Sequence, residues 1–313
     1  MGKVYKLQHV LAIFLVMMSG CLPKTEQDFQ RASGLHIVAT FFPVADIVRQ
    51  VGGEHVTVQM LLPAESDLHN FSPTARQMKL LQHADVVFQL GLGAEPFLAP
   101  LLRGLGQKRP RVIELAEGCW TLPLEGEHHH EHTEEHEHEH DCEAVDPHVW
   151  LSLDNAIQMT RNAQTALTEI DPAHSADYQR NANRLIAEIQ RLKASLKARS
   201  KTWRQKKFIA AHGAYRYLAE EAGLEQVAVF EPLPGVEPSA RWLRDLIRTI
   251  RREGVQVVFA SPPASPRLVE VIALDLRVPV LLIDVLERPL DELGESYQSR
   301  MRRNLDTLDR AMH

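Results

Sequence analysis

The sequence predicts an α/β protein of two βα lobes, each a parallel sheet flanked by helices, joined by one long helix. Three observations predict it. Short β-prone apolar runs alternate with helical patterns over residues 36–115 and again over 207–284. Strands separated by helices of about ten to fifteen residues signal βαβ units and a parallel sheet. A long amphipathic pattern separates the two series. With 313 residues, 44% hydrophobic and 24% charged, the chain can bury the core of two ordinary domains.

The elements follow in order. Strands are predicted at His36–Phe42, Val56–Leu62, Asp85–Gly91 and Arg111–Leu115. Pro43 opens a helix that ends at Gly52-Gly53, and Pro73 opens another through Ala84. A further helix follows His148, with Ser152 or Asp154 as its cap. Asp171-Pro172 starts the long helix, Pro being suited to the first helical position. Tyr178, Ala182, Leu185, Ile189, Leu192 and Leu196 then form one apolar stripe. From Pro172 to Lys201 that helix would span roughly 45 Å. Strands return at Lys207–Ala211, Val227–Phe230, Val255–Ala260 and Val280–Asp284. Between and after them come helices at Gly213–Glu221, at Pro238–Glu253 closed by Gly254, and at Asp291–Ala311. The lobes are thus expected at 35–170 and 204–313, with the linking helix at 171–203.

The N-terminus reads as an export signal. Lys3 and Lys6 precede the apolar run Val10–Met18, too short to span a bilayer, then Ser19-Gly20-Cys21. Residues 1–20 are expected to be removed, leaving Cys21 as a lipidated first residue and 21–34 as a polar tether. No later run of apolar residues is long enough to cross a membrane. The chain is therefore expected outside the cytoplasm, periplasmic or extracytoplasmic, held to the membrane by lipid.

One segment interrupts the α/β order. Glu127–Glu143 carries eight acids and no Lys or Arg, and those acids outweigh the whole formal net charge of −6. The remainder has no basic stripe of the kind that tracks phosphate backbones, which excludes nucleic acid as the expected partner. Seven histidines lie among the acids: His128, His129, His130, His132, His136, His138 and His140. Imidazoles mixed with carboxylates offer overlapping weak sites for Zn²⁺ or Cu²⁺. A segment with no apolar face cannot enforce one geometry, so it would capture or buffer ions rather than discriminate. Cys119 and Cys142 flank it. An oxidising compartment permits a disulfide there, the alternatives being a soft ligand or an inert thiol.

Ligands of open α/β sheets bind beyond the carboxyl ends of the strands. His69 lies in the loop after Val56–Leu62, His212 directly follows FIAA, Asp284 closes VPVLLI, and His148 sits in DPHVWL. Two candidates come from each half, so the cleft between halves is where they could converge. Three neutral imidazoles and one carboxylate suit a four-coordinate Zn²⁺; Mn²⁺ favours more oxygen. Four protein ligands leave no position for a reactive water, which separates holding an ion from using it. Read singly, each His is an ordinary loop residue, and Asp284 alternatively caps the next turn. No HExxH or similar metal-plus-base motif is present.

The stretch FFPVADIVRQVGGEHVTVQMLLPAESDLHNFSPTARQ resembles the N-terminal signature of the cluster A-I metal receptors of ABC transporters, the ZnuA/TroA-like zinc- and manganese-binding lipoproteins. DPHVWLS resembles their second motif and AAHGAYRYLAEEAGL their third. VPVLLIDVL with YQSRMRRNLDTL resembles their C-terminal end. The resemblance runs colinearly over residues 35–311. It implies two lobes on one backbone helix, with a metal between them held by His69, His148, His212 and Asp284. It also implies a non-enzymatic, monomeric receptor delivering Zn²⁺ to an ABC permease, with manganese or iron as the alternative cargo. A zinc-storing surface adhesin and a zinc hydrolase are the remaining readings. The sequence departs from the pattern at Leu68, where Pro is usual, which is expected to loosen the first loop. It departs again after Asp284, where Val285-Leu286-Glu287 replaces Pro-Leu-Gly; water or a loop histidine could then replace that carboxylate.

Overall fold

The structure is a computed structural model. It describes residues 34–64, 66–124, 144–229, 239–261, 278–289 and 295–313. The signal segment, Cys21, the tether up to 33, the histidine-rich run and Cys142 lie outside them.

Two four-stranded sheets form, each wholly parallel. The first has β1 (Leu35–Ala39), β2 (Val56–Met60), β3 (Val86–Gln89) and β4 (Arg111–Glu114) in the order β2-β1-β3-β4. The second has β5 (Lys207–Ala210), β6 (Glu225–Val229), β7 (Val258–Ala260) and β8 (Val280–Leu282) in the order β6-β5-β7-β8. The two lobes therefore repeat one topology, with the connecting helices lying over the sheets. Each predicted strand is present and most are shorter than predicted, but β1 starts one residue early and β6 two residues early. Val255, for example, is not in β7, because its N–H closes the preceding helix on Ile250 O at 3.1 Å around left-handed Gly254.

The helices of the first lobe are α1 (Phe42–Gly52), α2 (Ala75–His83), α3 (Leu98–Gly104) and α4 (Leu153–Ile170). Thr74 and Gln77 form a reciprocal capping box on α2. Ser152 caps α4 by accepting from Asn155 N, so of the two predicted caps it is Ser152 that serves. The long helix starts later than predicted. Asp171 breaks the helix, residues 172–174 make a single tight turn, and α5 runs from Ser175 to Arg199. Its 25 residues span about 37 Å. The whole predicted stripe, Tyr178 to Leu196, is buried. That face packs against α4, α1, α6 (Arg216–Ala222) and α8 (Tyr297–Met312), and so touches both lobes. Among the described residues one further helix, α7 (Ala240–Glu253), covers the second sheet through Leu246 and Ile250.

A single apolar core continues from one lobe into the other, from Ile37 and Phe88 in the first sheet to Phe208 and Phe259 in the second. Buried polar ties also cross the junction. Glu221 of α6 accepts from Ser152 Oγ and from the N–H groups of Leu153 and Asp154, satisfying donors at the start of α4. Trp150 Nε1 donates to Val285 O at 2.7 Å, and Tyr297 Oη donates to Trp150 O at 2.7 Å. Asp46 of α1 accepts from Tyr297 N at 2.7 Å. The strand ends of both sheets are thereby held facing a shared crevice.

Candidate metal centre

Each predicted histidine reaches this crevice by a different local device. His69 follows β2 on a loop held by an Asx turn: Asp67 Oδ1 accepts from His69 N and Asn70 N, both at 3.0 Å. Leu68, where Pro was the expected residue, is fully buried. Its apolar side chain packs into the core beneath the loop.

His148 begins the tight turn Val149–Leu151 that leads into Ser152 and α4. Asp146 Oδ1 accepts from its backbone N at 3.0 Å and lies 2.7 Å from ring Nδ1. A carboxylate at Nδ1 fixes the tautomer with the proton there and leaves Nε2 as a lone-pair donor. Arg216 Nη1 stands 3.6 Å from the other Asp146 oxygen, so the carboxylate is held in turn. His212 stands two residues past the end of β5, and its Nε2 faces His148 Nε2 at 3.1 Å.

The carboxylate that faces these three imidazoles is that of Glu287 rather than Asp284. Glu287 Oε1 lies 3.7 Å from His69 Nε2, 3.9 Å from His148 Nε2 and 3.7 Å from His212 Nε2. All four donor atoms fall within 4.8 Å of one another. Donors at 2.0–2.1 Å around a tetrahedral ion sit about 3.3 Å apart. The observed spread therefore closes on an ion with side-chain shifts of up to about an ångström. Among the described residues, His69 Nε2 and Glu287 Oε1 are buried without a hydrogen-bond partner. Buried polar atoms are ordinarily satisfied, and a cation between them supplies what the protein does not.

Asp284 is occupied elsewhere. Its oxygens accept from Arg300 Nε at 2.6 Å and Nη2 at 2.7 Å, and Oδ1 also accepts from Leu286 N at 2.8 Å. It caps a turn, the alternative that the sequence left open. Leu286 takes the left-handed conformation at φ 64°, which costs a non-glycine residue about 1 kcal/mol. That turn aims Glu287 into the crevice, and Phe42 N bonds Glu287 O at 3.4 Å from the other lobe. Strand-end reasoning stopped at Asp284, whereas the carboxylate that faces the histidines stands three residues further on. The signal that could have found it was the acid ending DVLE.

Burial sets the protonation of the cage. The His212 imidazole is pushed down to about 3, by burial first and then by the neighbouring His148 and His69. His69 is lowered for the same two reasons, burial and His148. Glu287 is pushed up to about 7, chiefly by burial. The rings of His55 and His174 stack on each other at 3.8 Å and bond Asp177 and Asp171. Cys119 is half-buried, has no disulfide partner among the described residues, and its Sγ donates to Asn155 O at 3.7 Å. Its bridge to Cys142 stays a sequence-based expectation.

Two α/β lobes with donors converging where their strand ends meet define an ion-binding receptor of the two-lobed class. The family described as "Zinc-uptake complex component A periplasmic" matches residues 37–311, and the chain belongs to that family. The high-affinity zinc uptake system protein ZnuA of Bacillus subtilis is 29% identical over 304 residues, covering 96% of this chain and 95% of its own. The zinc-binding lipoprotein AdcA of Streptococcus pneumoniae is 30% identical, covering 96% of this chain, which spans 59% of that protein's length. The Zn(II)-bound ZnuA-like domain of that AdcA superposes with a TM-score of 0.75 at 28% identity, covering 89% and 99% of the two chains. The Pseudomonas aeruginosa protein FpvC, solved with Mn²⁺, has a TM-score of 0.75 at 28% identity and covers 89% and 98%.

Proposed function

We propose that this protein is a lipid-anchored, extracytoplasmic receptor that binds Zn²⁺ between its lobes and delivers it to an ABC permease. The ion is the cargo, held by His69, His148, His212 and Glu287. The observation that carries the reading is the cage itself: three imidazole nitrogens and one carboxylate oxygen, all within 4.8 Å. Nitrogen-rich, four-coordinate donors favour zinc over the harder manganese ion. Four protein donors fill a tetrahedral shell, so a receptor fits this site better than a hydrolase, which needs a water on the metal. The Mn²⁺ complex of FpvC keeps manganese as the second reading, and competition titration of the two ions separates them.

The histidine-rich run is proposed as an auxiliary capture segment that feeds the cage. Deleting Glu127–Asp141 is expected to remove the weakly held ions and spare one tight ion per chain. Elemental analysis of the purified full-length and deleted proteins checks this. A deleted protein that retains no zinc would place the tight site in the run and overturn the assignment to the cleft.

A further inference from the structure

We infer that Arg300 decides how many carboxylates reach the ion: by holding Asp284, it leaves Glu287 as the one acidic donor among the described residues of the cleft. The inference rests on the zinc reading above and deepens it.

Arg300 projects from α8 and is 1% exposed, a buried guanidinium. Its Nε and Nη2 form a two-pronged bond to Asp284, and its Nη1 donates to Arg288 O at 2.5 Å. One planar group therefore grips both ends of the segment 284–288, with Glu287 between them. Lysine, a point charge, has no such fork. Asn304, one turn along α8, clamps the same residue by its backbone, accepting from Asp284 N at 2.8 Å and donating to Asp284 O at 2.7 Å. The Arg300 guanidinium also lies 4.3 Å from the centre of the Phe42 ring, at the start of α1 in the other lobe. The grip is thus referenced to both halves of the cleft.

A buried ion pair is a poor way to gain stability, since desolvation offsets most of the attraction and an apolar pair of equal volume often serves as well. A positional role accounts for this one. Asp284 shares a turn with Glu287, its Oδ1 holding Leu286 N, and the buried Tyr215 phenol feels both carboxylates. Asp284 is therefore a second acid beside the cage, kept from it by its partner. An added oxygen donor would raise the coordination number and move the donor set toward what Mn²⁺ prefers.

The test uses the full chain with one equivalent of metal. It reads the Zn²⁺ to Mn²⁺ affinity ratio by competition, and the visible absorption of the Co²⁺-loaded protein, which is intense for four-coordinate cobalt and weak for six. Arg300→Met is expected to lower the ratio about tenfold and to weaken the cobalt band, as Asp284 joins the shell. Arg300→Lys is expected to fall between Met and the wild type. The double variant D284N/R300M should restore both readouts, because no second carboxylate remains. An R300M protein with unchanged ratio and band overturns the inference. So does a double variant shifted as far as the single one, which would make Arg300 a structural support only. Should R300M fail to fold, the remaining variants decide. D284N/R300M leaves no unpaired buried charge, and an R300K protein identical to the wild type overturns the inference. A wild-type chain that holds no ion in the cleft fails earlier, and overturns the zinc reading along with it.

Discussion

Replacing His148 with alanine is expected to weaken Zn²⁺ binding by about three orders of magnitude, or about 4 kcal/mol. His148 contributes most because it is the donor whose orientation is most completely fixed. It is buried, its Nδ1 side is held by Asp146, and its Nε2 stands 3.1 Å from that of His212. Alanine removes a donor that had already lost its rotational freedom, and nothing else on the turn can replace it. Asp146→Asn should cost less, about 10–100-fold, since it disturbs the tautomer and orientation but keeps the ring. Competition against a chromophoric chelator measures both. An H148A protein within tenfold of the wild type would remove this residue from the shell.

The second large effect is on pH. A cation competes with protons for its donors, so affinity falls wherever the free site must first lose one. His212 lies near 3 and His69 is lowered, so these two rings are already neutral and available above about pH 6. Glu287 is not available: with its carboxyl pushed up to about 7, it carries a proton below that pH which the ion must displace. Zinc affinity at the cleft should therefore drop about tenfold per pH unit below about 7, with one proton released per ion, and level off above it. Glu287→Gln should flatten the profile in this window. Calorimetric titrations in buffers of different ionisation enthalpy count the protons; a wild-type profile that stays flat from about pH 5 to 7 contradicts the assignment. Without metal the same group acts on stability in a definite direction. The folded chain keeps a proton that the unfolded chain loses above its ordinary value of 4.5, so this contribution is present at low pH and is lost as pH rises toward about 7.

The fold was legible because its signals are local. Period-two and period-four apolar spacing, the Ser152 cap and the Gly254 stop each act within a few residues, and the α5 stripe was read residue for residue. The helix α3 was missed for the converse reason. It is seven residues long, begins after a Phe97 that offers no side-chain cap, and contains Pro100. The three histidines that the structure brings together were read as side chains beyond strand ends. The carboxylate that stands among them was not, because choosing between Asp284 and Glu287 depends on a guanidinium sixteen residues away and on a left-handed Leu286. Neither long-range pairing nor positive φ leaves a periodic trace in a sequence.

The ring of Trp150 lies 5.1 Å from that of His148, and its indole N–H bonds the backbone of the turn that carries Glu287. One fluorophore is thus wedged between two donors that belong to opposite halves of the molecule. Its emission should register cargo arriving and leaving, so occupancy can be followed by light in the unlabelled protein.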